Sequence, residues 1–299
     1  MKFINKFFII LLITSFSGLS QSISDYDFIG TLILKNNALI TYRIQFNINN
    51  SEISGHSYTD INGRDETMSE LKGTYNNKDK IIKLKENNIL YTKSKEIEDI
   101  FCFINVIAKL KLKNSRQSIQ GSFLGLYNNK DTCATGEILL ISLKDAFSEI
   151  DKISKKISNT KRIDSLTKTK FTKEILLNEI QPNTLKKDEI LNVFWESDKF
   201  ILEIWDNGKE DGDLISLTFN DKIVLRKYEV KKAKKIIQLD LKEGENLIEI
   251  SANNNGTIFP NTAKAILIDG KKIYTISTSL ESGQSSKINI IYKNVSNKN

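Results

Sequence analysis

The stretch that decides the fold is Ile40-Thr41-Tyr42-Arg43-Ile44-Gln45-Phe46-Asn47-Ile48. Apolar residues stand at every second position, and polar residues stand between them. Successive side chains of a β-strand point to opposite faces, so the pattern predicts a strand with one buried and one solvated face. The same period returns on both sides of a charged middle segment. We therefore predict an all-β protein.

The first part of the chain, about residues 24–143, carries further runs of this kind, separated by Asn-rich turns. Three runs share an apolar-polar-Gly-polar echo around Gly55, Gly73 and Gly121. Glycine weakens a strand unless it permits a bend or a close approach, so repeated strand glycines favour a closed barrel. We predict an antiparallel up-and-down barrel of about eight strands, with a sandwich as the alternative. The predicted strands are 40–48, 52–59, 66–75, 80–84, 89–93, 101–112, 119–127 and 136–141.

This first module resembles the calycin and avidin-like barrels in a general way, although it carries no lipocalin or biotin-binding signature. A barrel of eight strands either encloses one small ligand or fills with side chains. The sequence leaves both options open.

The chain has two cysteines, Cys102 and Cys133. In a meander both fall at the same rim of the barrel, so we predict a disulfide between them. Closing a loop of this length stabilises a protein by ~3–4 kcal/mol in the chain-entropy model. A zinc site is excluded as the alternative, because two Cys and one distant His cannot fill a tetrahedral site.

The N-terminus reads as a secretory signal peptide over residues 1–20. A basic head is followed by Phe7-Phe8-Ile9-Ile10-Leu11-Leu12-Ile13 and then by small residues up to Ser20. The apolar run is shorter than the ~20 residues that a membrane-spanning helix needs. We expect a secreted or periplasmic protein that is not transmembrane after signal cleavage.

The net charge of +7 falls to +5 when Lys2 and Lys6 leave with the signal peptide. A basic balance can indicate an anionic partner. The aromatic residues do not alternate with basic ones in a patch, however, so nucleic acid is not the expected partner. Oligomeric state leaves no mark in the sequence.

The middle segment, about residues 144–192, changes period. Phe147, Ile150, Ile153 and Ile157 fall at helical spacing. The stretch 150–173 holds eight Lys or Arg against two Asp. We predict a basic linker with short helices, of which 158–170 forms a solvated, mobile tether and 172–180 a further helix. A basic strip that touches an anionic polysaccharide is the sharper alternative.

The second module, about residues 193–294, returns to short alternating runs with tight turns. Seven or eight strands over about 100 residues favour a β-sandwich. The predicted strands are 200–205, 214–219, 222–230, 235–241, 246–251, 263–268, 272–278 and 287–293.

An acidic loop interrupts this module at Trp205-Asp206-Asn207-Gly208-Lys209-Glu210-Asp211-Gly212-Asp213. Calcium takes six to eight oxygen ligands, mainly carboxylates and carbonyls. We therefore consider Asp206, Asn207, Asp211 and Asp213 candidate Ca²⁺ ligands. The spacing does not fit an EF-hand, which requires Glu at its twelfth position. The alternative is a turn whose Asp and Asn side chains cap backbone amides.

The same region offers a sugar-binding hypothesis. Trp205 stands at the edge of the acidic loop, and aromatic rings cover the apolar faces of sugars. Asn253 and Asn254 belong to an Asn-rich loop that would supply hydrogen bonds. The alternative places Trp205 in the core.

Three pieces of the second module together resemble a C-terminal β-sandwich module of secreted Bacteroidetes proteins. They are the run from Ile204 to Leu217 with its WDNGxxDGDxISL pattern, the segment 241–248 and Pro260-Asn261-Thr262-Ala263. The resemblance covers about a third of the chain. It implies export and a module type, and it implies no reaction.

Enzyme motifs are lacking. His56 is the only histidine, and the sequence has no nucleophile elbow, HExxH, P-loop or dinucleotide fingerprint. We predict a non-enzymatic binding or adhesion protein whose ligand is a glycan or another envelope component, supported by calcium. A small-molecule carrier with a hollow barrel is one alternative. A two-carboxylate hydrolase is the other, because paired carboxylates leave no sequence signature.

Overall fold

The structure is a computed structural model that describes residues 25–95, 100–113, 116–206, 209–270 and 272–293. Strands account for 59% of the residues and helices for 12%. The predicted class is therefore confirmed: a barrel of eight antiparallel strands comes first, helices follow, and further β-sheet forms the C-terminal part. The predicted signal peptide and the loop residues Asn207 and Gly208 lie outside the described residues.

The barrel is closed in meander order. Each strand pairs with the next one along the chain, and β8 returns to pair with β1. The strands are β1 Tyr26–Leu34, β2 Leu39–Asn49, β3 Glu52–Thr59, β4 Thr67–Asn76, β5 Ile81–Thr92, β6 Phe103–Lys113, β7 Arg116–Leu126 and β8 Thr132–Ser142.

Alternation along each strand sends apolar side chains into the barrel. Seventeen buried residues form this core, among them Phe28, Tyr42, Phe46 and Phe123. Burying a large apolar side chain stabilises the fold by about 1.5–3 kcal/mol. The inward positions of the described strands are thus filled with side chains.

Two glycines show why the strands can close. A β-carbon on Gly55 would overlap the carbonyl oxygen of Gln45, and one on Gly121 would overlap that of Ile107. Glycine lets neighbouring strands approach where a coiled barrel requires it. The prediction drawn from the repeated strand glycines is confirmed.

Strand β5 corrects the prediction of two strands over 80–84 and 89–93. The stretch Lys85-Glu86-Asn87-Asn88 looks like a turn, yet it continues one bent strand, with a register shift against β4 between Ser69 and Leu71. Glu86 is buried because Tyr42 Oη, Ser57 Oγ and the Ile104 amide donate to its carboxylate at 2.8, 2.6 and 2.7 Å.

The disulfide forms as predicted. Cys102 stands just before β6 and Cys133 at the start of β8, with their Cα atoms 5.9 Å apart. Gly125 of β7 lies between them, where a β-carbon would stand 2.5 Å from Cys102 Sγ. The bridge therefore closes one rim of the barrel across the intervening strand.

Three helices follow the barrel: α1 Leu143–Asn159, α2 Ser165–Lys170 and α3 Lys173–Asn178. Ser142 is the N-cap of α1, and its hydroxyl oxygen accepts a hydrogen bond from the Asp145 amide at 3.1 Å. The stretch 158–170, predicted as a tether, contains α2, which buries no residue. Asp151 of α1 forms ion pairs with Lys155 and with Lys173 at the start of α3. Within the described residues, no helix is both long and apolar enough to cross a bilayer.

The C-terminal part is a two-sheet sandwich. One sheet has the order β13-β12-β15-β18-β10 and the other β14-β11-β16-β17-β9. The short β9 and the first half of β10 form within the segment predicted as linker. The strands are β9 Thr184–Leu185, β10 Ile190–Trp195, β11 Lys199–Trp205, β12 Leu214–Phe219, β13 Lys222–Glu229, β14 Lys235–Asp240, β15 Gly244–Ala252, β16 Asn261–Asp269, β17 Lys272–Leu280 and β18 Ser285–Tyr292.

The two modules are fused by backbone pairing, which corrects the prediction of two separate sheets joined by a tether. Strand β5 pairs with β6 over Ile81–Lys85 and with β10 at Tyr91 and Thr92. The barrel sheet thus runs into the first sheet of the sandwich. Met68 and Tyr91 of the barrel also belong to the hydrophobic core of the sandwich.

Candidate functional site

A groove of about 900 Å³ opens where the barrel, the helical segment and the sandwich meet. Its barrel wall comes from β2, β3 and the start of β4. Its helical wall comes from α3 and residues 179–186, and its sandwich wall comes from the first half of β16 and from β17. Ligand sites are commonly concave, of this size, and placed between domains. We call this feature the junction groove.

The barrel wall of the junction groove is a connected polar network. The guanidinium of Arg43 donates to both carboxylate oxygens of Asp27, at 2.9 and 2.7 Å. Gln45 donates to the same carboxylate at 2.8 Å, and Tyr58 donates its hydroxyl to Gln45 at 3.0 Å. Burial raises the pKa of Tyr58 to about 12, so its hydroxyl is protonated at neutral pH. Hydrogen bonds therefore connect the side chains of this wall, and Asp27 balances the charge of Arg43.

The helical wall is fastened to the barrel by Asn62. Its amide nitrogen donates to the carbonyls of Asn178, Glu179 and Gln181 at 3.0–3.1 Å. The last carbonyls of a helix have no partner within the helix, so a side chain that donates hydrogen bonds to them fixes the end of the helix. The loop between β3 and β4 thus holds the end of α3 in place.

Beneath these walls lies a buried ion pair. Glu66 is fully buried and accepts the amides of Asn62 and Asn183, each at 2.7 Å. Lys93 lies 3.8 Å from Glu66 and 3.1 Å from Glu189, and it donates to the Thr184 carbonyl at 2.7 Å. Burial raises the pKa of Glu66, and the charge of Lys93 opposes that shift. These contacts join all three parts of the chain at the base of the groove.

Three residues of the junction groove each contain a buried polar atom of special interest. Asn62 Oδ1, Asn183 Oδ1 and the Tyr274 hydroxyl are buried without a hydrogen-bond partner among the described residues. Most buried polar atoms in proteins are bonded, so each exception needs an explanation. Here the three atoms belong to the barrel wall, the helical wall and the sandwich wall of one groove. Burial also raises the pKa of Tyr274, which keeps its hydroxyl protonated.

The lining of the junction groove is polar and close to neutral in charge. Eleven of its 24 lining residues are Asn, Gln, Ser or Thr, and two are Tyr. The charges of the five ionisable residues in the lining nearly cancel. Three are basic, Arg43, Lys186 and Lys264, and two are acidic, Glu174 and Glu179. Amides and hydroxyls both donate and accept hydrogen bonds, as the hydroxyls of a sugar do.

The acidic loop lies elsewhere in the sandwich, although its neighbour Thr262 also lines the junction groove. Asp206 and Asp213 are buried, and Asp213 Oδ2 accepts the Thr262 amide at 2.8 Å. Asp211 Oδ2 accepts the Ile258 amide at 2.7 Å. The structure brings Asp206, Asp211 and Asp213 together, since both other carboxylates act on the charge of Asp213. Asn207 lies outside the described residues.

The predicted sugar-binding residues have structural partners. Asn253 accepts the Ser216 hydroxyl at 2.7 Å. Asn254 accepts the Leu214 amide and donates to the Gly212 carbonyl, both at 2.7 Å. The ammonium of Lys234 stands 4.9 Å from the ring centre of half-buried Trp205. The structure therefore gives all three side chains a role within the sandwich, and their role in binding stays a prediction.

Local sequence could not reveal the junction groove. Its walls come from residues 43–68, 174–186 and 260–279, so no single motif carries it. In the sequence, Asn62 stands out only as the first residue of an Asn-Gly pair that predicts a turn. His56, the one histidine, lies on β3 opposite Glu70 of β4 and does not line the groove.

No protein-family model, curated protein or solved structure matches this chain. Function therefore has to be inferred from the chemistry of its own residues. The resemblance of the second module to a secreted Bacteroidetes module stays a prediction.

Proposed function

We propose that this chain is an exported, non-enzymatic binding protein and that the junction groove takes a glycan. The observation that carries the proposal is the lining of the junction groove, in which eleven of 24 residues are Asn, Gln, Ser or Thr and the charged residues nearly cancel. A site built to hydrogen-bond hydroxyls discriminates against ligands without them, because its buried polar groups would then be left unpaired.

The shape and lining of the junction groove support a saccharide over other ligands. The volume of about 900 Å³ fits an oligosaccharide segment. Tyr58 provides a partly exposed aromatic ring with a polar tip, a combination suited to sugars. The small net charge gives no preference for phosphate or nucleic acid.

The alternative functions find less support. Seventeen apolar side chains occupy the barrel core, where a hollow carrier would need free space. A two-carboxylate hydrolase needs carboxyl groups on both sides of the bond that it breaks. Glu174 and Glu179 both come from the helical wall of the junction groove. Binding is therefore the better proposal.

Export supports the choice of ligand. Disulfides persist in oxidising compartments, and the Cys102–Cys133 bridge is compatible with one. A secreted or periplasmic protein meets envelope glycans directly. Calcium support, predicted at the acidic loop, belongs to a separate part of the sandwich.

The proposal is tested by a glycan array followed by calorimetric titration of the hits. Asn178 and Gln181 are exposed residues on the helical wall of the groove. We expect the double variant Asn178→Ala, Gln181→Ala to weaken glycan binding by roughly tenfold or more, about 1.4 kcal/mol, with an unchanged melting temperature. The matched control is Gln120→Ala on the outer face of β7, which should bind normally. Equal binding by both variants, or an array without hits, would contradict the proposal.

A further inference from the structure

The acidic loop gathers three carboxylates at one end of the sandwich. Asp206 directly follows β11, and Asp211 and Asp213 precede β12. A β-carbon on Gly256 would stand 2.5 Å from Asp213 Oδ1 and 2.6 Å from Asp211 Oδ2. Both oxygens therefore lie close to Gly256 and to each other, and Asp211 Oδ2 also accepts the Ile258 amide. Gly212 curves the loop into this position with a φ of +85°.

Hydrogen bonds within the loop do not use all of the side-chain oxygens that can accept one. The amides of Ile258 and Thr262 each satisfy one oxygen of Asp211 and Asp213. Asp213 is 1% exposed, yet its Oδ1 has no hydrogen-bond partner among the described residues. Asn261 repeats the pattern: its nitrogen donates to the Leu214 and Asn254 carbonyls, and its buried Oδ1 has no partner. A capped turn explains the first set of bonds and does not explain the leftover oxygens.

Two of the three carboxylates have no basic partner among the described residues. Neither Asp211 nor Asp213 forms an ion pair with a described Lys or Arg. The negative charges of Asp211 and Asp206 also act on the Asp213 carboxylate. Buried charges in proteins are normally paired or bound to a metal. A cation is the missing partner that would relieve this repulsion.

We infer that Asp211 and Asp213, with Asp206 beside them, bind a divalent cation next to Gly256. The ligands are oxygens only, which favours Ca²⁺ over zinc or copper. In the described part of the chain no three acidic, Cys or His side chains form a ready-made metal cage. The cation therefore takes two carboxylates as anchors and completes its shell with carbonyl and water oxygens, as Ca²⁺ commonly does. This site does not depend on glycan binding in the junction groove.

Calorimetric titration of CaCl₂ into protein stripped with EDTA tests the inference. Terbium luminescence provides a second readout, because Trp205 adjoins Asp206 and can transfer excitation to a bound Tb³⁺ ion. We expect Ca²⁺ to bind, to displace Tb³⁺ and to raise the melting temperature by several degrees. The variants Asp213→Asn and Asp211→Asn should each lose at least roughly tenfold in Ca²⁺ affinity.

Two controls locate the site. Asp240→Asn removes an exposed carboxylate at the end of β14 and should bind Ca²⁺ normally. Trp205→Phe should lose the terbium emission and keep the Ca²⁺ affinity. The inference is overturned if stripped protein takes up no Ca²⁺, or if both loop variants bind as tightly as the wild type. Stability that responds to pH and not to Ca²⁺ would also overturn it, since the carboxyls would then share a proton instead.

Discussion

The ammonium nitrogen of Lys93 lies 3.8 Å from Glu66 Oε2, and both side chains are buried where the barrel meets the sandwich. Lys93 directly follows β5 of the barrel, and its ammonium also reaches Thr184 and Glu189 ahead of β10. One pair of charges therefore connects the barrel, the segment after α3 and the sandwich.

Removing one partner of this ion pair should destabilise the folded protein. We expect Lys93→Met to lower the free energy of unfolding by about 3–5 kcal/mol at neutral pH, because it leaves Glu66 buried without its cation. Urea denaturation of both proteins measures the loss.

The loss should depend on pH. The pKa of Glu66 is raised in the folded protein, and Lys93→Met raises it further, so the native state holds its proton up to a higher pH than the unfolded chain. The variant should therefore lose stability as the pH rises above the unfolded pKa of Glu. An equal loss at pH 4 and pH 8 would show that packing, and not charge, is responsible.

We expect the Asp213 carboxyl to cause a second pH dependence of stability, in protein from which metal has been removed. Its folded pKa of about 6 exceeds the ordinary value of 3.8. Its protonated form therefore stabilises the fold below about pH 4, and this contribution is lost as the pH rises to 6. Asp213→Asn should be more stable than the wild type at pH 7 by roughly 1–3 kcal/mol and similar to it near pH 4. Chemical denaturation in EDTA across this range checks the difference, and a wild-type advantage at pH 7 would contradict it.

The disulfide offers a prediction about the barrel alone. Replacing Cys102 and Cys133 by Ser should lower the free energy of unfolding by about 3–4 kcal/mol, because the unfolded chain regains the entropy of the open loop. Guanidinium denaturation measures it. Adding reductant to the double variant should change nothing, and a variant as stable as the wild type would rule out a structural role for the bridge.

Barrel closure depends on the strand glycines. Gly55→Val should lower the free energy of unfolding by at least about 1–3 kcal/mol, because its side chain would collide with the Gln45 carbonyl of the neighbouring strand. Gly270→Asn is the matched control. Gly270 has a φ of +55° and open space around it, and Asn tolerates that conformation. Thermal melting should separate the two variants clearly.

Sequence predicted the barrel well because its signals are local. The alternation of apolar and polar residues predicted the strands, Asn-rich pairs predicted the turns, and the strand glycines predicted closure of the barrel. Asn220-Asp221 shows how reliable such turns are, since both residues adopt positive φ in the β12–β13 hairpin. The prediction of two strands in place of β5 had a physical reason: Glu86 is polar, and only the tertiary structure provides the partners that bury it.

Sequence could not predict the junction groove, because its parts are far apart in the chain. Asn62 and Asn183 are 121 positions apart and meet only because Glu66 receives a backbone amide from each. The pairing of β5 with β10, which places the walls together, involves only two residue pairs. The acidic loop was recognisable from composition, whereas the leftover oxygen of Asp213 was not.

The position of a bound glycan tests the central claim most directly. We expect a crystal structure of the protein with a glycan selected on the array to show the sugar in the junction groove, within hydrogen-bonding distance of the side chains of Asn178 or Gln181. A sugar stacked on Trp205 beside Asn253, or one bound at any other surface with the groove unchanged, would contradict the account.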